Sequence, residues 1–273
     1  MISQNPLIFV LDLDGTIIGD CVYQTVIQHI DDAAKKQNIK TTLGKQIRDS
    51  YDSSSKLIRP YFKYFIKHIR SQYPNSQFYV YTASNKEWAT KEINIIEKSL
   101  NIKLNRPIFS RDDCILDSFD QYKKSVNKIL PKIQKKNKSY KLNKSNFIVI
   151  DNNDVFIDYM SNFILCPTYD CVRFCDAWKD MKQDIIYNNT MKHIIDKYID
   201  TNKVCKYGSD IQNDEVNELR HKWYYKKLKR INSENKKYKY DKFWKKLSNV
   251  IIDKKMTSFS DQNVELLRHH LDS

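Results

Sequence analysis

The sequence predicts an α/β fold: a central parallel sheet with helices on both faces. Three observations carry that prediction. Leu7–Leu11 (LIFVL), Ser76–Tyr81 (SQFYVY), Asn146–Ile150 (NFIVI) and Asn162–Pro167 (NFILCP) are short, mainly apolar runs, the pattern of strands buried on both faces. Between them lie stretches with apolar residues at helical spacing, the alternation that gives a parallel sheet its crossovers. Several runs stop at polar or acidic residues, which sets those side chains at the carboxyl edge of the sheet, where α/β folds hold ligands.

The elements follow in order. After the first run, residues from Ile17 to position 55 are mixed. Val22, Val26, Ile27 and Ile30 share one helical side there, and the segment reads as an insertion after the first strand. In LIRPYFKYFIKHIRSQYPNS, Pro60 suits the first turn of a helix, and Phe62, Phe65, Ile66 and Ile69 recur at helical period. SQFYVY then runs into Thr82, Ala83 and Ser84, and a helix with Trp88, Ile93, Ile96 and Leu100 follows from Lys86. RPIFSRDDCIL adds a short extended piece, YKKSVNKIL begins another helix, and Lys132 to Ser145 reads as a Lys/Asn-rich loop. About five strands are expected in the sheet.

A chain of 273 residues, 41% apolar, is long enough for one large domain with an appendage. The division expected is a sheet domain over 1–204, including the insertion at 17–55, and a basic, aromatic-rich, mainly helical extension over 205–273. No apolar run approaches the ~18–20 residues of a membrane span. The N-terminus lacks the basic region of a signal peptide, so an intracellular location, cytoplasm or nucleus, is expected. Six cysteines without a CxxC pair argue against a structural zinc site and for free thiols in a reducing compartment. The net charge of +14 calls for an acidic partner or substrate. Much of that charge sits in Leu219–Lys246, which carries 12 Lys/Arg against 2 Asp/Glu, with Trp223, Tyr224, Tyr225, Tyr238, Tyr240, Phe243 and Trp244 interleaved. Such a stretch suits single-stranded nucleic acid, or else it is an amphipathic helix that docks its aromatics on the sheet domain.

Chemistry concentrates at the end of the first run, where Asp12 and Asp14 precede Gly15 and Thr16. Two carboxylates there repel each other unless a cation joins them. A hard divalent ion such as Mg2+ takes oxygen ligands and accepts a backbone carbonyl among them. A solvated Asp-Gly turn is the plainer alternative. Three further strand-end groups belong with this pair: Thr82, one of Lys123 and Lys124, and Asp151 with Asn152. A carboxylate nucleophile, a hydroxyl, an ammonium and another metal-binding acid are what phosphoryl transfer through an aspartyl-phosphate needs. Asp154 and Asp158 read as a helix N-terminal acid and a surface charge. Arg111 either contacts substrate or pairs with Asp112 or Asp113. None of the six histidines has metal-ligand spacing with other groups.

These blocks together resemble the haloacid dehalogenase (HAD) superfamily, and within it the FCP/SCP-type, NLI-interacting-factor-like phosphatases that act on the RNA polymerase II carboxy-terminal domain. The motifs are DLDGT, LIRPYFKYFIKHI, FYVYTASNKEWATKEINIIEK, SRDDCILD and FIVIDNNDVF, and they cover roughly residues 7–200. Gly15 stands where that subfamily usually has Glu. The resemblance implies a HAD-like (Rossmannoid) sheet, with Asp12 as nucleophile and Asp14 as acid and base. Thr82 would bond a phosphoryl oxygen, and Lys124, favoured over Lys123, would neutralise charge. It also implies Mg2+ on Asp12, Asp151 and the Asp14 carbonyl, with Asn152 orienting a metal water. Ala83, Ser84, Lys123 and Arg111 would border the substrate. The implied substrate is a phosphorylated protein segment such as the polymerase tail. The alternatives are a nucleic-acid-end or small-molecule phosphatase and, in another class, a catalytically silent binding module with a basic nucleic-acid-binding tail.

Overall fold

The computed structural model describes residues 5–19, 35–36, 38, 57–171 and 236–272. The chain divides into two compact units, one of 1–19, 58–169 and 240–273, the other of 20–57 and 170–239. The second lies almost wholly outside the described residues, as do most of the expected insertion, Cys21, Cys175, Cys205 and the stretch 219–235.

The first unit is built on a four-stranded, fully parallel sheet. Its strands are β1 (Ile8–Leu11), β2 (Gln77–Val80), β5 (Phe147–Asp151) and β6 (Phe163–Leu165), in the order β2-β1-β5-β6. Every residue of β1 is fully buried, as expected for the strand at the centre of a doubly covered sheet. The extended piece around Phe109 forms one bridge, to Tyr81, with Phe109 N donating to Val80 O and Thr82 N to Phe109 O, and Asn105 N donates to Phe78 O just before it. A 3-10 turn at Arg111–Asp113 then ends its pairing, so the described sheet has four strands rather than five.

Alternation along the strands assigns the faces. Ile8, Val10, Tyr79, Tyr81, Phe147 and Val149 point to one side, where they pack with Val126, Ile129 and Ile133 of α3 (Val126–Lys136). Helix α3 continues five residues into the stretch read as loop, because Ile133 falls on its buried face. On the opposite side Phe9 stacks on Phe78 at 4.8 Å and meets Phe65 of α1 (Phe62–Gln72) edge-on at 5.4 Å. The helix α2 (Lys86–Leu100) is capped by Asn85, whose side chain accepts from Trp88 N. A two-stranded hairpin, β3 (Ile115–Leu116) with β4 (Tyr122–Lys123), precedes α3.

The expected boundary at 204/205 differs from the observed one. Helices α4 (Phe243–Asp253) and α5 (Asp261–Asp272) belong to the sheet unit. Trp244 is fully buried, with its ring 5.2 Å from Phe62 and 4.8 Å from Phe65, while Phe259 lies 5.3 Å from Phe9 on the central strand. The physical reason is area: α1 alone leaves apolar surface on that face, and α4 covers it. Of the two readings of the aromatic basic stretch, the docked helix describes Phe243 and Trp244, and Tyr240 remains exposed. No described helix is long and apolar enough to cross a membrane. Cys114, Cys166 and Cys171 are buried.

Candidate active site

Register brings the site together. Leu11 pairs with Val80 on one side and Ile150 on the other, so the residues that follow β1, β2 and β5 emerge side by side. Asp12 N still donates to Ile150 O, which holds Asp12 beside Asp151. Beyond it the chain turns at once. Gly15 has φ +79, and a Cβ there would lie 2.7 Å from Asn152 Nδ2, so a larger residue at this turn would be strained and would push the Asn152 side chain aside. Thr16 Oγ1 ties the two loops, donating to Asn152 Oδ1 and accepting from Asn152 N.

The lysine is Lys124. Its Nζ donates to Asp12 Oδ1 at 2.5 Å and Asp151 Oδ2 at 2.7 Å, and all three side chains are buried. The rings of Tyr81 and Phe156, each 5.8 Å from Nζ, complete its surroundings. Lys123 is one residue back and therefore faces the other way, toward Gln121 Oε1 and Asp117 Oδ2. Lys124, not Lys123, therefore reaches the Asp12–Asp151 pair.

Asp14 is half-buried, with Oδ2 accepting from Ser84 Oγ at 2.8 Å and Thr82 Oγ1 at 3.3 Å. Its Oδ1 is buried with no hydrogen-bond partner among the described residues. Arg111 pairs with neither neighbouring aspartate. Its Nε donates to Ala83 O and its guanidinium lies 5.0 Å from the Tyr122 ring, while Asp113 binds Lys132.

Burial pushes the Asp12 carboxyl up to about 7, with Asp151 and Asp14 adding to the rise and Lys124 opposing it. Burial works against the Lys124 ammonium, but Asp12 and Asp151 outweigh it and hold the pKa above the usual lysine value. Two carboxyl groups therefore flank one ammonium, with Asp14 held alongside by Thr82 and Ser84. The carboxyl groups the centre offers a cation are oxygen donors, which suits a hard divalent ion. Among the described residues no three acidic, histidine or cysteine side chains converge on one point. The expected set of two carboxylates, one backbone carbonyl and an amide does not require it.

Several contributors escaped sequence reasoning. Asp158, read only as an end-of-helix or surface acid, accepts from Ser125 Oγ, Val126 N and Asn127 N, so it caps α3 immediately after Lys124. Arg59, only 1% exposed, donates through Nε and Nη2 to Asp241 and through Nη1 to Cys166 Sγ, whose other neighbour is Thr16. Glu92 is buried on α2 and its Oε2 has no partner among the described residues. Its sequence signal was an acid on the apolar face of a helix.

An acidic pair after the first of several parallel strands, a lysine beside it and a further aspartate at the end of the adjacent strand β5 form the arrangement expected of a HAD-type phosphatase. The chain belongs to the NLI interacting factor-like phosphatase family, whose model matches residues 7–185. Among solved structures it is similar to the fission yeast RNA polymerase II CTD phosphatase Fcp1 bound to beryllium fluoride, with 20% identity and a TM-score of 0.38. That match covers 98% of this chain and 62% of the other, so the chain spans less than two thirds of that relative. A second structure of Fcp1, described as an essential RNA polymerase II CTD phosphatase, gives 17% identity and a TM-score of 0.38 over 91% of this chain and 66% of that one. A comparison with curated proteins finds no match.

Proposed function

We propose that the protein is a Mg2+-dependent protein phosphatase working through an aspartyl-phosphate on Asp12, with phosphoserine or phosphothreonine in an extended protein segment as substrate. The polymerase tail, implied by the family resemblance, is the first such segment to try. One observation carries the reading: the buried Lys124 ammonium spans Asp12 and Asp151 while Thr82 and Ser84 hold Asp14 alongside.

In this reading an Asp12 oxygen attacks phosphorus, and the bond to the leaving oxygen breaks as the acyl-phosphate bond forms. Asp14 gives its proton to the leaving oxygen. It then takes one from the water that attacks phosphorus, which frees Asp12 and releases inorganic phosphate. Lys124 offsets charge on Asp12 and the phosphoryl group, and the Thr82 hydroxyl donates to a phosphoryl oxygen. The Asp12 and Asp151 carboxylates and the Asp14 carbonyl would hold Mg2+, with Asn152 on the same rim. The bound ion supplies the charge cancellation that lets a carboxylate approach a phosphate.

The test is Asp12→Asn. It should abolish hydrolysis of p-nitrophenyl phosphate in the presence of Mg2+, and activity at the wild-type level would end the reading. A phosphoserine peptide should be a better substrate than a 3'-phosphorylated oligonucleotide, and the reverse order would move the enzyme to nucleic-acid ends.

A further inference from the structure

The segment Cys166–Tyr169, which follows β6, straps the two loops of the centre together. Cys166 N donates to Asp151 O and Tyr169 N to Gly15 O, each at 2.8 Å, while Thr168 Oγ1 accepts from Asn152 Nδ2 at 3.3 Å. Cys166 Sγ completes the strap from inside, 3.7 Å from Thr16 Oγ1 and 3.6 Å from Arg59 Nη1. Cys166, Thr16 and Arg59 are all buried. Behind Arg59 stands Asp241, which accepts from Nε and Nη2 and also from Phe243 N at the head of α4. A line of five side chains thus joins the start of α4 to Asn152, on the rim where Asp12 and Asp151 lie.

We infer that Cys166 is a positioning residue for the metal rim, acting through Thr16 to fix which way the Asn152 amide is turned, and that the affinity of the centre for Mg2+ depends on it. This rests on the Mg2+-dependent phosphatase reading above. The direction of the hydrogens carries it. A hydroxyl has a single hydrogen, and Thr16 gives it to Asn152 Oδ1 at 3.2 Å while accepting from Asn152 N at 3.1 Å. The thiol must therefore donate to Thr16, and the Arg59 guanidinium donates to the sulfur. Burial pushes the Cys166 thiol up to about 11, so it keeps the hydrogen this requires. With Asn152 N and the thiol both donating to Thr16 Oγ1, the hydroxyl hydrogen is left to Asn152 Oδ1. The amide is then set with its oxygen toward Thr16 and its nitrogen toward Thr168. A purely apolar residue at position 166 would fill the same space and leave both Thr16 and Arg59 without this partner.

The test titrates Mg2+ into the full chain and follows the melting temperature, which gives each variant's metal affinity against its own metal-free baseline. Cys166→Val removes the donor, and Mg2+ affinity should fall about 10-fold, the lower end of the cost of losing a partner behind a metal ligand. Cys166→Ser keeps a donor and an acceptor there, so its loss should stay within about 3-fold. Thr16→Val should lose about as much as Cys166→Val, and the two together no more than Thr16→Val alone, because one acts through the other. A merely structural cysteine would lower the metal-free melting temperature and leave the Mg2+ affinity where it was. Where valine does not fold, Cys166→Ala takes its place. Affinity within about 2-fold of wild type without the thiol, or losses that multiply in the double variant, would overturn the positioning role and leave the phosphatase reading standing. A wild-type chain that takes up no Mg2+ would overturn both. Loss of p-nitrophenyl phosphate turnover on Asp12→Asn tests the underlying reading separately.

Discussion

Replacing Asp241 with alanine tests how the end of the chain is tied to the catalytic loops. Arg59 is 1% exposed and its Nε and Nη2 lie 3.1 and 2.9 Å from the same Asp241 oxygen. Its cation also stands 4.6 Å from the Phe243 ring. With the carboxylate gone, a buried guanidinium keeps, among the described residues, Cys166 Sγ and aromatic faces, and stranding one member of a buried pair costs about 3–5 kcal/mol. Asp241 Oδ1 also accepts from Phe243 N at the start of α4, so alanine loses an end-cap worth about 1 kcal/mol besides. At a urea dependence of about 2 kcal/mol per molar, a loss of about 4 kcal/mol moves the unfolding midpoint down by about 2 M. Far-UV circular dichroism and tryptophan fluorescence both report it, since Trp244 sits in the layer that is released. Removing both charges, Arg59→Met with Asp241→Leu, should recover most of the loss, because no unpaired ion is left. A midpoint within about 0.3 M of wild type for Asp241→Ala, or a double variant as unstable as the sum of the singles, would refute this reasoning.

Three further outcomes are expected. The Asp12 carboxyl, lifted to about 7, takes up a proton on folding, so the metal-free protein should lose stability as pH rises through 7. Added Mg2+ should therefore raise the melting temperature more at pH 8 than at pH 6, and an equal effect at both would contradict the metal assignment. Burial, with Asp14 nearby, raises Glu92 to about 8, so its contribution is present at low pH and is lost as pH rises from 4.5 through 8. Glu92→Gln should remove that slope, worth a few kcal/mol, and chemical unfolding at pH 5 and pH 9 would read it. Gly15→Ala combines a positive φ with a contact to the Asn152 amide, which should cost about 1–3 kcal/mol and weaken the response to Mg2+. Unchanged stability and Mg2+ response would show that the turn can relax.

Much of the candidate site was legible because two of its acids directly follow a run of buried apolar residues. Asp12 after LIFVL and Asp151 after NFIVI have nowhere to go but a strand end. Helices α1 and α2 were legible from period, through Phe62, Phe65, Ile66 and Ile69 and through Trp88, Ile93, Ile96 and Leu100, although Ala89 and not Trp88 is the buried residue in the first turn of α2. The end of α3 was misread because lysines and asparagines outnumber its apolar residues, yet one buried Ile133 was enough to carry the helix on.

The sequence by itself determined the α/β alternation and the chemistry available at the strand ends, because period and hydrophobic runs are local properties of the chain. Tertiary structure decided which of two adjacent lysines enters the centre, since a hairpin's register sends neighbours to opposite faces and only Lys124 meets Asp12 and Asp151. It also decided that Asp241 would pair with Arg59 from 182 positions away and that Trp244 would close the sheet's second face. Those contacts depend on which surfaces remain uncovered once the sheet has formed, and no local pattern records that.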